Sequence, residues 1–178
     1  TIAVTVDGTA VSTVTKTAID GGYKCTCTSP TLKDGSHTIS VKASDNDGNA
    51  AAAKTATFTV DTVPPTLQIT APSNDLVTNK KTVTITGKTD DVTSKPVTVT
   101  VNGATVTVGT DGTFTKEVTL VEGANTITIV AKDKAGKTTT VTRKVTVDTS
   151  APVIKSITLT PNPVDCGKTF IIAVEITD

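Results

Sequence analysis

The sequence predicts an all-β fold of antiparallel β-sandwiches arranged in tandem. Three observations carry this reading. Apolar and polar residues alternate with period two along most of the chain, and no segment shows helical periodicity. Thr and Val dominate, and their branched Cβ atoms favour extended backbone over helix. The segment Val60-Asp61-Thr62-Val63-Pro64-Pro65 returns 87 residues later as Val147-Asp148-Thr149-Ser150-Ala151-Pro152, so the 178-residue chain is repetitive.

Residues 62–149 read as one complete module. A strand over 81–86 places Val83 and Ile85 on one face and Thr on the other. The alternating run 97–101 leads through Asn102-Gly103 into a second run, 104–108. Asn-Gly between two such runs predicts a hairpin, because both residues tolerate positive φ. Gly109-Thr110-Asp111-Gly112 is a further turn, and Phe114, Val118 and Leu120 mark the next strand. Residues 125–132 carry Ile127, Ile129 and Ala131 inward, and Lys132-Asp133-Lys134-Ala135-Gly136 turns the chain. The last strand, 138–148, presents Val141, Val145 and Val147. About seven short strands in one repeat fit an antiparallel sandwich.

The flanking segments repeat parts of this pattern. Residues 1–61 correspond to its later part: Val4-Thr5-Val6-Asp7-Gly8 parallels Val99-Thr100-Val101-Asn102-Gly103, and Tyr23 parallels Phe114. The strand from His37 and the turn from Asp45 parallel the strand and turn over 126–136. Residues 150–178 correspond to the earlier part, with Phe170 and Ile172 lying 87 residues after Val83 and Ile85. The expectation is a module over 1–61 that lacks its first two strands, which would leave core residues such as Ile2, Val4 and Val6 open, and a segment 150–178 that supplies them. Joined from Asp178 to Thr1, the two would make one nearly intact module, with a loop about four residues shorter, within ordinary variation.

Composition narrows the function classes. Lys and Arg number 17, Asp and Glu 17, so no basic surface points to nucleic acid or anionic lipid. Aromatic residues are 2% of the chain, with no Trp, too few for a base-stacking platform or an aromatic glycan-binding face. The longest wholly apolar run, 170–174, is far short of the roughly 20 residues that span a bilayer. No leader sequence opens the chain, which reads as mature, trimmed or excerpted. Catalytic signatures are missing too: there is no Gly-x-Ser-x-Gly elbow, phosphate loop or zinc-protease motif.

The linker pair at 60–65 and 147–152 resembles tandem bacterial immunoglobulin-like repeats of secreted and surface proteins. So do Leu32-Lys33-Asp34-Gly35-Ser36-His37-Thr38-Ile39 and Val121-Glu122-Gly123-Ala124-Asn125-Thr126-Ile127, with the turns Asp45-Asn46-Asp47-Gly48-Asn49 and Asp133-Lys134-Ala135-Gly136. The resemblance covers the entire chain. It implies tandem immunoglobulin-like sandwiches located outside the cell or on a bacterial surface. It does not fix a function, because one fold serves many.

Few residues carry candidate chemistry. Cys25 and Cys27, at i and i+2 on one strand, are poorly placed to bond to each other. In a sandwich of this type their strand pairs with the strand over 168–177, which Cys166 precedes. A Cys166–Cys25 or Cys166–Cys27 bridge is therefore expected within a composite module, set against three thiols that pack as small hydrophobes. His37 has no second His and no evident acid or Ser partner, and reads as a strand-end residue. Asp45, Asp47 and Asn49 echo a calcium loop, but Ala50-Ala51-Ala52-Ala53 supplies no further acid; Asp and Asn are also ordinary turn formers. Asp61 and Asp148, with Asp90 and Asp91, could assemble an inter-module cation site. No other cofactor is indicated.

The functional expectation is a non-enzymatic structural element of an extracellular filament or surface appendage. The partner would be another copy or a neighbouring immunoglobulin-like module, joined by strand addition. The donor residues would be Ile154, Ile157, Phe170, Ile172, Val174 and Ile176. Two alternatives stand: a spacer within a long adhesin repeat array, or an accessory carbohydrate-binding module of a secreted enzyme.

Overall fold

The computed structural model describes residues 1–160, 162–163 and 166–178. It is all-β. The N-terminal part contains β1 (Ile2–Val6), β2 (Thr9–Ala10), β3 (Val14–Ile19), β4 (Gly22–Cys27), β5 (Gly35–Ala43) and β6 (Lys54–Val60). Four of these form a sheet in the order β2-β1-β5-β6, and β3 pairs with β4. Asp7 (φ 50°) and Gly8 (φ 79°) make the β1–β2 turn, repeating Asn102 (φ 48°) and Gly103 (φ 82°) at the predicted hairpin. A β-branched residue in this left-handed region would be strained.

The central sandwich contains β7 (Thr66–Ala71), β8 (Leu76–Thr78), β9 (Thr82–Asp90), β10 (Thr98–Val101), β11 (Ala104–Val106), β12 (Thr113–Thr119), β13 (Gly123–Lys132) and β14 (Thr138–Val147). One sheet has the order β11-β10-β13-β14-β8 and the other β12-β9-β7. Inward positions alternate as predicted. Ile85, Val99, Ile127, Ile129, Val145 and Val147 are almost wholly buried between the sheets, with Phe114 and Leu120. Each such side chain contributes about 1.5–3 kcal/mol of transfer free energy.

The first edge of this sandwich was not legible from alternation. The chain leaves one sheet at the end of β7 and joins the other as β8, which lies parallel to β14. Pro72 has no N–H to offer a ladder, so pairing stops there. Arg143 on β14 holds the crossing: its Nε donates to the Pro72 carbonyl and its Nη2 to the Ile69 carbonyl, both at 3.1 Å.

The C-terminal part is a hairpin of β15 (Val153–Thr160) and β16 (Ile171–Thr177). Pro161, Val164 and Asp165, within the expected donor segment, lie outside the described residues.

Within the single chain the strand of Cys25 and Cys27 pairs with β3, with Lys16 opposite Cys25 and Val14 opposite Cys27, and β16 pairs with β15 as β9 pairs with β7. Val4 and Val6, expected to be open, are buried, because β1 is an internal strand and β3 lies against it.

Candidate functional site

Repeat-related positions differ sharply in burial. Ile85 is 0% exposed, whereas Ile172 is 59% exposed. Phe114 is 4% exposed and its counterpart Tyr23 69%; Ile129 is 0% exposed and its counterpart Val41 36%. The sequence builds the same apolar face in each case, and only the central sandwich has both sheets to cover it. On the C-terminal hairpin, Ile154 faces Ile176, Ile157 faces Val174 and Leu159 faces Ile172, which makes a continuous apolar strip. Ile154, Ile157, Phe170, Ile172, Val174 and Ile176 are each 48–62% exposed. Cys25 is half-buried, Cys27 and Cys166 are exposed, and all three are free thiols.

The two linkers repeat in geometry as well as in sequence. Asp34 accepts the Thr62 N–H at 3.0 Å and the Thr62 hydroxyl at 2.9 Å. Glu122 accepts the corresponding groups of Thr149 at 2.9 and 2.8 Å. Asp61 Oδ1 accepts the Val63 N–H, and Asp148 Oδ1 the Ser150 N–H. Each linker is thus clamped to the strand end before it.

Beside the first linker, three carboxylates meet. One oxygen from each of Asp61, Asp91 and Asp133 lies within 4.8 Å of the other two. Asp61 follows β6, Asp91 follows β9, and Asp133 opens the turn after β13. Backbone donors fix all three. Asp91 Oδ1 accepts the Thr93 and Ser94 N–H groups at 2.8 and 2.6 Å, and Asp133 Oδ1 accepts the Lys137 N–H at 2.8 Å. The Lys134 N–H donates to the Ser94 carbonyl at 3.1 Å, tying the two loops together. Asp91 and Asp133 are only 6% and 5% exposed. Asp61 Oδ2 and Asp133 Oδ2 are buried with no hydrogen-bond partner. Among the described residues the ion pairs are Lys95–Asp90 and His37–Asp7, so no cationic side chain pairs with this trio. At an effective dielectric near 20, two carboxylate charges at such a separation repel by roughly 3–4 kcal/mol.

Sequence reasoning named Asp61 and Asp91 for a junction site and missed Asp133. Of the other two residues named with them, Asp90 instead pairs with Lys95 at 2.7 Å, which holds its carboxyl below the usual range. Asp148 is exposed at the second linker. The signal for Asp133 was its recurrence, 88 residues after Asp45. The two turns differ in one respect. Asp45 Oδ1 accepts the Asp47 and Asn49 N–H groups, and its Oδ2 accepts the Asn49 side-chain amide at 2.7 Å. Lys137 stands where Asn49 stands, so Asp133 Oδ2 has no amide to accept. Asp45 is therefore satisfied within its own turn, and its lowered pKa comes first from the Asn49 side chain.

His37 does have an acid partner, contrary to the sequence reading. Its Nδ1 lies 2.7 Å from Asp7 Oδ2 and its Nε2 2.7 Å from the Lys33 carbonyl oxygen. Both neighbours only accept, so the ring serves them best as a doubly protonated imidazolium. The Asp7 carboxylate, then the Lys33 carbonyl, raises the His37 pKa, and Asp7 is lowered in turn. The ring also packs on Phe58, with centroids 5.6 Å apart. With both nitrogens occupied, it is placed as a structural link between β1 and β5.

No helix among the described residues is long and apolar enough to cross a membrane. A family described as a bacterial Ig-like domain matches residues 1–62, and one described as glucodextranase, domain B, matches residues 65–149. Bacillopeptidase F of Bacillus subtilis (strain 168) is 33% identical over 143 residues, 80% of this chain and 10% of that protein. The chain thus spans about a tenth of the length of this curated relative. Among solved structures, the fibronectin(III)-like modules of Clostridium thermocellum CbhA superpose with a TM-score of 0.46 at 21% identity, covering 83% of this chain and 77% of that one. A tetra-tandem repeat in the extending region of a large adhesion protein superposes with a TM-score of 0.41 at 23% identity, covering 98% and 54%. With the strand order of the central sandwich and the family matches on both sides of the first linker, residues 1–149 consist of bacterial immunoglobulin-like modules.

Proposed function

We propose that this chain is a non-catalytic structural element of a bacterial surface or secreted protein, built by head-to-tail complementation of immunoglobulin-like modules. The hairpin of β15 and β16 docks on the open face of a 1–61 unit and stands where β7 and β9 stand in the central sandwich. The observation that supports this is the exposure contrast between Ile172 and its buried counterpart Ile85. Closing the face would bury the hairpin's apolar strip against Tyr23, Val41 and Phe58. A heterologous contact of this kind propagates as a filament where its rotation does not close a ring. The expected Cys166 bridge to Cys25 or Cys27 would lock such a junction, since it would link a hairpin to the unit it completes. The test is a permuted polypeptide that joins residues 150–178 directly to 1–61. It should fold as a single cooperative sandwich. Non-cooperative melting, with the apolar strip still accessible to a hydrophobic dye, would refute the reading.

The match to a tenth of a longer relative favours a second reading, in which the same contacts form within one continuous repeat array that acts as a spacer. Intact mass of the native polypeptide separates the two: 18.1 kDa supports separate subunits, and a much larger mass supports an array. Retention of the chain on a polysaccharide matrix would favour an accessory carbohydrate-binding role over both.

A further inference from the structure

We infer that the C-terminal hairpin is shaped for an acceptor with Tyr23 and is refused by one with Phe114, the deciding residue being Val174 of the hairpin. The inference rests on the strand complementation proposed above. It adds which edge and which acceptor the hairpin takes: the free edge of β4 in the N-terminal unit of a second copy.

The register comes from the repeat. In the central sandwich β12 holds β9 on one edge, with Gly87 opposite Phe114 and Ile85 opposite Lys116, while Val108 bridges to Phe114 on the other edge. β4 spends one edge on β3, and among the described residues its other edge has no partner. β16 likewise pairs only with β15. Open edges template strand addition. Laid on β12 and β9, the added strand puts Val174 opposite Tyr23 and Ile172 opposite Cys25.

One position does not carry over. A Cβ at Gly87 would lie 2.7 Å from Phe114 Cζ and 2.6 Å from the Gln68 carbonyl oxygen, so glycine is what lets the ring lie across β9. The C-terminal hairpin has Val174 there, 87 residues on. Its ladder also differs at this place. In β7–β9 the register shifts between Ile69 and Ala71, and Ile69 faces Gly87. In β15–β16 it shifts earlier, between Ile154 and Ser156, and Ile157 faces Val174. A bulge re-aims the side chains around it. The hairpin thus carries a pair of branched side chains where the Phe114 ring lies in the central sandwich, and a close-packed core does not absorb that volume.

The acceptor changes in the complementary sense. Tyr23 is 69% exposed where Phe114 is 4%, so its ring is not held across the face. Cys25 and Cys27, which follow it on the same face, are smaller than Lys116 and Val118 at the corresponding places, which leaves the ring room to turn aside. Similar repeats in tandem are prone to pair with the wrong neighbour. A clash against the wrong acceptor sets the choice as surely as a contact with the right one.

Two measurements on the full chain test this. The first reads the refusal inside the central sandwich and needs no association. Gly87→Val should lower the main melting temperature by about 5 °C or more, and by less than half as much when Phe114→Leu is already present. Gly87→Ala gives the same comparison if Gly87→Val fails to fold. Equal losses with and without Phe114→Leu would overturn the inference. The second reads the register across copies. With Cys27→Ser and Cys166→Ser leaving Cys25 alone, Ile172→Cys should form an interchain disulfide to Cys25 on mild oxidation, because directly opposite residues lie within bridging distance. Ala173→Cys, on the other face of β16, should cross-link about tenfold less. Equal yields would overturn the register while leaving complementation standing. No cross-link from either, with a single 18.1 kDa species in sedimentation, would overturn complementation itself and this inference with it.

Discussion

Ile85→Ala and Ile172→Ala are the same substitution at positions one repeat apart, and the structure predicts very different costs. Ile85 lies on β9 with 0% exposure, enclosed by the other sheet. Its truncation removes buried methylene and methyl groups and leaves a cavity, a loss of about 2–5 kcal/mol. For a domain of this size each kcal/mol moves Tm by about 4–8 °C. The main calorimetric transition should therefore fall by roughly 10–30 °C. Ile172 is 59% exposed on β16. In dilute, unassociated chain its truncation should change stability by no more than about 0.5 kcal/mol. Once the hairpin docks, Ile172 takes the place that Ile85 has. The cost should then reappear as association weakened by roughly 30-fold or more, the equivalent of about 2 kcal/mol. Differential scanning calorimetry of both variants at low concentration reads the first pair of values, and sedimentation equilibrium reads the second. A fall of less than about 3 °C for Ile85→Ala would refute the core assignment, given that scaling. Unchanged association in Ile172→Ala would refute the docking geometry.

Three further outcomes are expected. Gly112 and Gly103 share a φ of 82°, but a Cβ at Gly112 would collide with the Thr89 carbonyl, whereas at Gly103 nothing lies within 4 Å. Gly103→Ala should cost roughly 1–2 kcal/mol from the left-handed backbone alone, and Gly112→Ala clearly more, as denaturant midpoints will show. The His37–Asp7 pair makes the N-terminal unit pH-sensitive. Raised His37 contributes stability that is complete below its ordinary value of 6.5 and is lost as pH rises through its folded pKa. Lowered Asp7 contributes stability that is present above 3.8 and is lost as pH falls through its folded pKa. The pair's support should thus be greatest between about pH 4 and 6.5, and His37→Gln should abolish the alkaline loss in a thermal-melt series. Finally, non-reducing electrophoresis should show species at multiples of 18.1 kDa that collapse on reduction, with Cys166→Ser restoring the single band.

Local alternation made most strands legible, because residues such as Ile127, Ile129 and Ala131 state their face without help from the rest of the fold. Asn102-Gly103 and Asp7-Gly8 likewise fix their turns through backbone preference alone. What stayed hidden depends on distant partners. The passage of the chain from β7 to β8 rests on Arg143 reaching the carbonyls of Ile69 and Pro72, more than 70 residues away. His37 seemed unpartnered because Asp7 is 30 residues distant in sequence and adjacent only through the β1–β5 register. Val4 and Val6 were expected to be open because the cover given by β3 is not part of the repeat pattern. Asp133 read as one more turn residue. Only the exchange of Asn49 for Lys137 between repeats marked it, and that exchange gains meaning once its Oδ2 is seen to be buried.

Sedimentation velocity of the reduced chain over a hundredfold range of concentration tests the central claim most directly, namely that the C-terminal hairpin and the N-terminal open face are complementary. The account predicts a concentration-dependent series of species at multiples of 18.1 kDa. A single 18.1 kDa species across the whole range would contradict it.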